Sequence, residues 1–545
     1  MARRLYGATG AVAALCAVMA PVTAVAQNAP ADRIDAIERQ IRNLQNELQQ
    51  LKNDLGDAKQ QLRQSRAETQ RSKEEARQAR QAAEQARQDS LKAAAAQSQA
   101  TQAAAQAQAA AAAPPPQPVA TAGGINVGFP GGRPTISSSD GSISFAIGNQ
   151  TQFDYGTYFQ NPTPTTQFPH LNYGVNLRRE RIFLVAKYDD WTLNVTPDFG
   201  GSPDGNQSSQ FLYEANLNFT GIKPVTATIG YFHPWFSLYD SQSTNDFLLI
   251  ERPSIIEIAR NVAAGDARAS AGLKANQEQW FASGYATGSQ YGAQTNSLLN
   301  GEQLSTVGRL AGRPYYDSDW NVQLDFSGEY VFKPAISSVN PNVTTFNLQD
   351  RPEDRAADQN RLISTGNLSI KNVGVYGGET GISWRNFLVQ GGYYHIGEDQ
   401  QKLVSQPAPH LNFHGGYVEG GWVLTGEPIR YSVGSAAFAR PKVENPFGLT
   451  ENGFETGIGA WELGARWSVM NLNSNVTPGV SQTVTGGVFG GLQQIFGVAL
   501  SWYPNDFVRF YLQFQYSQID KLNSAGTAQM GQHFETLAGR MQVAF

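Results

Sequence analysis

Trp191-Thr192-Leu193-Asn194-Val195-Thr196 decides how the rest of the chain is read. Side chains along a strand point alternately to opposite faces, so this run shows Trp, Leu and Val to one side and Thr, Asn and Thr to the other. Asp189-Asp190 stands immediately before it as a tight turn. Upstream, Gln150, Gln152, Asp154 and Gly156 alternate with Thr151, Phe153, Tyr155 and Thr157. A polar face turned inward and an apolar face turned outward is the pattern of a wall between a wet lumen and lipid. Similar runs occur at 179–188, 212–219, 225–233, 280–287, 320–332, 373–384, 387–396, 415–424, 458–470, 495–503, 507–517 and 536–545. Strands of about ten residues, joined alternately by tight turns and long loops, predict an all-β transmembrane barrel. Arg385-Asn386 and Asn505-Asp506 read as periplasmic turns, and 286–303, 334–360 and 397–412 as outer loops. The count comes to roughly sixteen antiparallel strands, an even number as expected of such barrels.

Composition agrees. Charged residues are 16% of the chain, below the ~25% usual in soluble domains. Aromatic residues are 11%, and glycine accounts for 54 of 545 positions. A secreted all-β polysaccharide binder would share these numbers, so the alternation carries the argument. Arg3 and Arg4, the apolar run Leu5–Met19 and Ala24-Val25-Ala26 form a secretory signal peptide over residues 1–26. The single cysteine, Cys16, lies inside it, so the mature chain is expected to hold no disulfide. No later apolar run approaches the ~18 residues of a spanning helix. Export without such a helix, together with the alternation, points to the outer membrane of a Gram-negative type envelope.

Between signal and barrel lies a helical segment, residues 27–92. Ile34, Ile37, Ile41, Leu44, Leu48, Leu51, Leu55, Ala58 and Leu62 recur at spacings of three and four, which keeps one seam facing a partner helix. This predicts a self-associating N-terminal α-helical coiled coil, with isoleucine at the early seam positions leaning towards three strands. Residues 93–134 read as a linker, first Ala/Gln-rich and then Pro/Gly-rich, with Pro114-Pro115-Pro116 ending any helix. Residues 135–545 are the barrel. Charge divides unevenly: residues 1–124 carry 15 Lys/Arg and 11 Asp/Glu, whereas residues 125–545 carry 26 and 35, a net −9.

The end of the chain, Arg540-Met541-Gln542-Val543-Ala544-Phe545, alternates and closes on an aromatic. A terminal strand of this kind resembles those recognised by bacterial barrel-assembly machinery, which makes Phe545 the expected assembly signal. Ordered segments then carry a family resemblance: Arg133-Pro134-Thr135-Ile136 with Asp140-Gly141, Leu177-Arg178-Arg179-Glu180-Arg181, and Gly230–Leu238 followed by Glu251-Arg252. Arg351-Pro352-Glu353, Arg361–Gly366, Leu424-Thr425-Gly426-Glu427 and Gly459–Ser468 continue it. From about Gly132 to Phe545 the chain resembles the phosphate-selective porin O and P family. The resemblance implies a homotrimer of sixteen-stranded barrels, each with its own pore, in contact with outer-membrane lipid. It further implies an arginine ladder and lysines at the constriction in members that prefer phosphate.

The residues here depart from that pattern. Ser237–Asn245 contains no lysine but does contain Asp240, Asp246 follows it, and His233 stands where a lysine is common in the family. Candidate pore cations are Arg179, Arg181, Arg252, Arg260, Arg309 and Arg313, with His233 and Asp240 at the constriction. Guanidinium groups in a narrow passage offset the dehydration of an anion and grip phosphate in a bidentate manner. The alternative is that these arginines pair with carboxylates such as Glu180 and Glu251 and merely fix loops. Two cargoes stay open: small anions including phosphate, and small neutral, sugar-like or cationic solutes. A coiled coil tethering the barrel to peptidoglycan or a periplasmic partner is a further reading. No nucleotide-binding loop, metalloprotease helix or serine elbow occurs, so neither enzyme, cofactor, metal nor nucleic-acid partner is expected. His410 and His414 fall at a loop-strand junction rather than on a helix. Glycines inside strands, such as Gly391, Gly392, Gly420 and Gly421, read as room for curvature or for inserted loops.

Overall fold

A computed structural model of the chain describes residues 119–121, 124–161, 171, 173–200, 211–291, 301–337, 340, 342–355, 361–402, 407–448 and 457–545. The signal peptide, the coiled coil and the linker up to residue 118 lie outside the described residues. One nineteen-stranded antiparallel sheet contains a closed ring plus three short strands at its N-terminal end. The ring runs β1 (Ile143–Asn161), β2 (Gly174–Tyr188), β3 (Trp191–Pro197), β4 (Leu212–Phe219), β5 (Val225–Phe232) and β6 (Arg268–Asn276). It continues through β7 (Trp280–Gln290), β8 (Leu304–Tyr316), β9 (Trp320–Lys333), β10 (Ile370–Trp384) and β11 (Phe387–Gln400). It ends with β12 (His410–Val423), β13 (Ala460–Ser474), β14 (Val488–Tyr503), β15 (Val508–Asp520) and β16 (His533–Ala544). β16 pairs antiparallel with β1, Gly539 opposite Tyr155, and closes a sixteen-stranded barrel without an open edge.

Parity places the residues as read. Gln150, Gln152 and Asp154 are buried inside, while Phe153 and Tyr155 are exposed on the outer face. At the tight-turn end, outward aromatics stack from strand to strand: Trp320 on Trp384, Trp384 on Phe387 and Phe387 on Trp422, with ring centroids 5.5–5.8 Å apart. Trp461, Trp502 and Phe510 continue the belt, the girdle expected where a barrel meets the membrane interface. Phe545 extends the closing strand, its N–H donating to Asn149 O at 3.1 Å and its carbonyl accepting from Asn149 N at 3.0 Å.

Six connections at this end are turns of two to five residues, Arg385-Asn386 among them. The seventh, residues 424–459, is long. At the other end every connection is a loop, the longest being 233–267 and 334–369. Three details differ from the sequence reading. β6 and β8 were not among the expected runs. Residues 286–290, 397–400 and 410–412, read as loop, belong to strands. Val119–Thr121 pairs with Ile125–Gly128, and that strand with Thr135–Ser138, so the end of the segment read as linker carries sheet.

Candidate functional site

The connection from β5 to β6, residues 233–267, folds into the lumen. Its apolar content drives this: Phe236, Leu238, Tyr239, Phe247, Leu249 and Ile250 are fully buried. So is the inner face of helix α1 (Ser254–Ala263), through Ile255, Ile256 and Ile258. The barrel wall makes room with glycine. A Cβ on Gly421 would lie 2.7 Å from Leu248 Cδ2, one on Gly464 3.2 Å from Leu248 Cβ, and one on Gly497 2.7 Å from Leu249 Cδ2. Gly421 therefore acts as the sequence suggested, whereas Gly391 and Gly392 sit against neighbouring strands instead.

Carboxylates pin the inserted backbone. Glu379 accepts from Leu238 N at 2.7 Å and Tyr239 N at 3.3 Å, and from the hydroxyls of Tyr394 and Tyr417. Glu329 accepts from Ala263 N and Ala264 N at 2.7 and 3.1 Å. Glu353, supplied by loop 334–369 with φ +56°, accepts from Ser254 N at the start of α1 at 2.7 Å, where an anion also opposes the helix dipole. Arg466 and Ser468 hold Glu353 from the wall at 2.7 and 2.6 Å. The motif Arg351-Pro352-Glu353 and the Arg466 segment are thus parts of one clamp.

Around this loop lies one connected charged patch. Arg178 and Arg540 reach Glu251 at 2.7 and 3.0 Å, and Arg179 reaches it at 3.8 Å. Arg540 also pairs with Asp154 at 2.6 Å, and Arg181 with Asp198 at 2.7 Å. On the loop, Asp240 receives Arg260 at 2.5 Å, Arg252 at 3.3 Å and His233. Arg260 reaches Asp266, and Arg355 reaches Glu257 at 2.7 Å. Burial alone would raise the Asp240 carboxyl, but Arg260 and His233 more than offset it and hold it below the usual carboxylate range. Burial likewise opposes, and Arg178, Arg179 and Arg540 overcome it, at Glu251. Asp350 differs: burial pushes its carboxyl well up, against the partial pull of Arg355. Seven guanidiniums (178, 179, 181, 252, 260, 355, 540) therefore meet six carboxylates (154, 198, 240, 251, 257, 266), with His233 beside them.

A second insertion enters from the turn end. Within 424–459 a small hairpin pairs Arg430–Ser432 with Ala437–Ala439. Its tip presents carbonyls to wall cations: Gly434 O to Lys274 Nζ at 2.8 Å, Ser435 O to Arg309 at 2.8 Å and Ala436 O to Arg309 at 2.6 Å. Arg309 is also paired with Asp325 at 2.7 Å. Phe438 packs with Leu238, Leu248 and Leu388, so the two insertions meet.

Each candidate residue can now be placed. Arg179, Arg181, His233, Asp240, Arg252 and Arg260 converge in the charged patch. Arg309 stands apart, under the hairpin. Arg313 lies near the turn end, 3.6 Å from Glu278 and over Tyr431. Glu251 is a partner as anticipated, and Glu180 accepts from Thr151 at 2.7 Å. Arg178, Lys274, Arg355, Arg466, Arg509 and Arg540 were missed. Parity along β16 would have marked Arg540 as lumenal, whereas Arg178 turns inward beside Arg179 only because the β1–β2 register shifts there, which period two does not reveal. His410 bonds Asp399 at 2.9 Å on an exposed part of the wall, and among the described residues no hydrogen bond links it to a serine. Among the described residues no group of three or more metal-ligating side chains is found.

Comparison with known proteins agrees with this geometry. The sequence profile of the phosphate-selective porin O and P family matches residues 145–545. Porin O of Pseudomonas aeruginosa is 23% identical over 440 residues, spanning 75% of this chain and 90% of that protein. An uncharacterised protein of Caulobacter vibrioides is 25% identical over 428 residues, 73% of this chain and 76% of its own. Among solved structures, the anion-selective porin from Comamonas acidovorans aligns with a TM-score of 0.41 at 9% identity, covering 74% of this chain and all of that one. The chain belongs to the phosphate-selective porin O and P family and is a passive channel of the outer membrane.

Proposed function

We propose that the channel admits small anions of the phosphate class through the arginine-rich side of the lumen. The observation that carries this is the convergence of Arg178, Arg179 and Arg181 from β2, Arg540 from β16, and Arg252 and Arg260 from the inserted loop. Three of the buried acids are engaged elsewhere: Glu379, Glu329 and Glu353 accept backbone N–H groups of the loop. The arginines and carboxylates of the patch are close to balance, and a fixed guanidinium array favours an anion that must shed water. The protein acts as a channel and not as an enzyme, as a homotrimer, with the three-stranded seam predicted at Ile34–Leu62 in support. The coiled coil is also long enough to serve as a periplasmic tether, which deletion of residues 27–118 would test through envelope spacing.

The deciding experiment for selectivity is the reversal potential of purified protein in planar bilayers under a KCl gradient, followed by addition of inorganic phosphate. Anion preference and phosphate block are expected. Cation preference without block would overturn the anion reading while leaving the channel intact.

A further inference from the structure

The outer wall of β7–β10 is not smooth. Gly308 lies opposite Gly328, and Gly328 opposite Tyr376, so one row across β8 and β9 presents no side chain on its outward face. Gly284 of β7 extends this row. A Cβ on Gly284 would meet no atom within 4 Å, and one on Gly308 none nearer than 3.8 Å. In the next row towards the turns, Leu310 opposite Phe326, the two side chains stand 63% and 67% exposed, and Tyr376 closes the end of the glycine row at 63%. Together they frame an apolar groove of about 590 Å³. Elsewhere on the wall, outward positions carry large apolar groups such as Phe153, Tyr155 and Leu512.

Strand length fixes the depth of this groove in the membrane. From Trp320 in the turn-end girdle, β9 climbs about 20 Å across the membrane to Gly328 and about 33 Å to Lys333, at about 3.3 Å per residue and a tilt of about 40°. The groove therefore lies in the outer half of an apolar band about 25 Å tall, and Lys333 lies beyond its edge, at the level of lipid headgroups. Lys371 stands at the start of neighbouring β10, and Lys402 just past the end of β11. Three of the eight lysines in residues 125–545 are thus exposed at the outer ends of adjacent strands. Among the described residues, the exposed carboxylates at the outer ends of β8–β11 are Glu302 and Asp399, and His410 engages Asp399 at 2.9 Å.

We propose that this face docks an anionic, multiply acylated lipid of the outer leaflet, its phosphates held by Lys333, Lys371 and Lys402 and one acyl chain laid in the groove. Charge and reach both select this occupant. From Gly328 to Lys333, and from Tyr376 to Lys371, the strands run about 17 Å. That is close to the ~15 Å spanned by the acyl chains of one leaflet in a core about 30 Å thick. A zwitterionic lipid would fill the groove but leave the ammonium groups without a net counter-charge. The bland account, a wall covered by whatever lipid surrounds it, leaves unexplained why the hollow and the lysines share the same strands. The site lies on the outside of the wall and does not depend on which ions the lumen prefers.

The test is native mass spectrometry of the full-length protein in mild detergent, titrated with lipid A, which is phosphorylated and multiply acylated, or with phosphatidylcholine. In the unaltered protein lipid A is expected to bind at the lower concentration. Lys333→Gln combined with Lys371→Gln and Lys402→Gln removes the cations from exposed positions. The half-saturating concentration of lipid A then rises at least about tenfold, at about fivefold per lysine less screening by salt, while that of phosphatidylcholine holds. Gly308→Leu fills the groove with every charge intact and also weakens lipid A, which keeps the question decidable if the triple variant does not assemble. Lys521→Gln, at the outer end of β15, leaves lipid A binding unchanged. Equal binding of the two lipids, or a triple variant that assembles and binds lipid A as tightly as before, overturns the site. An equal loss in Lys521→Gln overturns it as well, since any cation of the rim would then serve. Unchanged binding in Gly308→Leu overturns the groove as the seat of the chain.

Discussion

Glu251 offers the sharpest perturbation of the charged patch. Its carboxylate is 3% exposed and answers Arg178, Arg179 and Arg540 together. Glu251→Gln keeps the shape and removes one negative charge from a patch already at seven guanidiniums to six carboxylates. For an ion passing at about 10 Å, one elementary charge is worth about 0.4 kcal/mol in water's dielectric and about 1.7 kcal/mol at an effective dielectric of 20. Anion and cation feel opposite signs, so the gap between them moves by twice that, and the anion-to-cation permeability ratio should rise at least about fourfold. The reversal potential in a dilute KCl gradient reads this directly. Raising the salt to about 0.1 M, where the Debye length falls to about 10 Å, should shrink the effect. The same substitution leaves buried guanidiniums with fewer counter-charges, at a cost of about 3 kcal/mol, so the temperature at which the barrel unfolds in detergent should drop. A variant that folds and conducts with an unchanged reversal potential at low salt would refute the placement of this patch on the ion path.

Phe438→Ala empties the contact where hairpin and loop meet, at about 3–5 kcal/mol, and single-channel recordings should show larger or noisier openings; an unchanged conductance would mean the hairpin does not narrow the path. Acid should loosen the loop with a defined sign. Asp240, Glu251 and Asp266 have depressed values, so their contribution is present above about pH 4, their unfolded range, and is lost as pH falls through their lower folded values. Asp350 works oppositely, since its raised value makes folding easier on acidification through that range. Through Asp240, Glu251 and Asp266 the conductance should therefore hold from neutrality to about pH 4 and drift below it, with protonation of Asp350 as the one change among these four that comes earlier. Deleting Phe545 removes both backbone bonds to Asn149 and the terminal aromatic, and fractionation should show less barrel in the outer membrane, with degradation products in its place.

The outer wall was legible because lipid imposes a strict rule on it. β1 and β3 obey period two because polar side chains such as Gln150, Gln152, Asn194 and Thr196 fill their inner faces and apolar ones their outer faces. β6 and β8 were missed for a physical reason. In Arg268–Asn276 the inner face carries Arg268, Ser270 and Lys274 and the outer face Ala269, Ala271 and Leu273, so the alternation is present but its outer residues are mostly too small to stand out. The inner face of β8 mixes Ser305, Val307, Arg309 and Ala311, with Val307 joining the same buried cluster as Ile255 and Ile258, so its period-two signal is weak. The same packing explains why several strands start or end away from their expected limits, as β14 does at Val488.

Charge was the harder inference, and the difficulty lies in what a carboxylate can be used for. Counting from the sequence, residues 125–545 carry nine more acids than bases, which argues for a path hostile to anions. That count treats every carboxylate as a charge seen by a passing ion. A buried glutamate that accepts two backbone N–H groups and two tyrosine hydroxyls, as Glu379 does, acts as an anchor for the inserted loop, and its field at the passage is blunted by the donors around it. Glu329 and Glu353 serve the same loop at the two ends of α1. The lysine-free stretch Ser237–Asn245 follows the same logic. Gln150 donates to Thr244 Oγ1 and Asn245 Oδ1, so the tip is fixed to β1 by neutral groups, and cations come instead from β2, β16 and α1. An acidic chain can therefore build a locally cationic lumen, provided that its acids are consumed in holding the constriction in place.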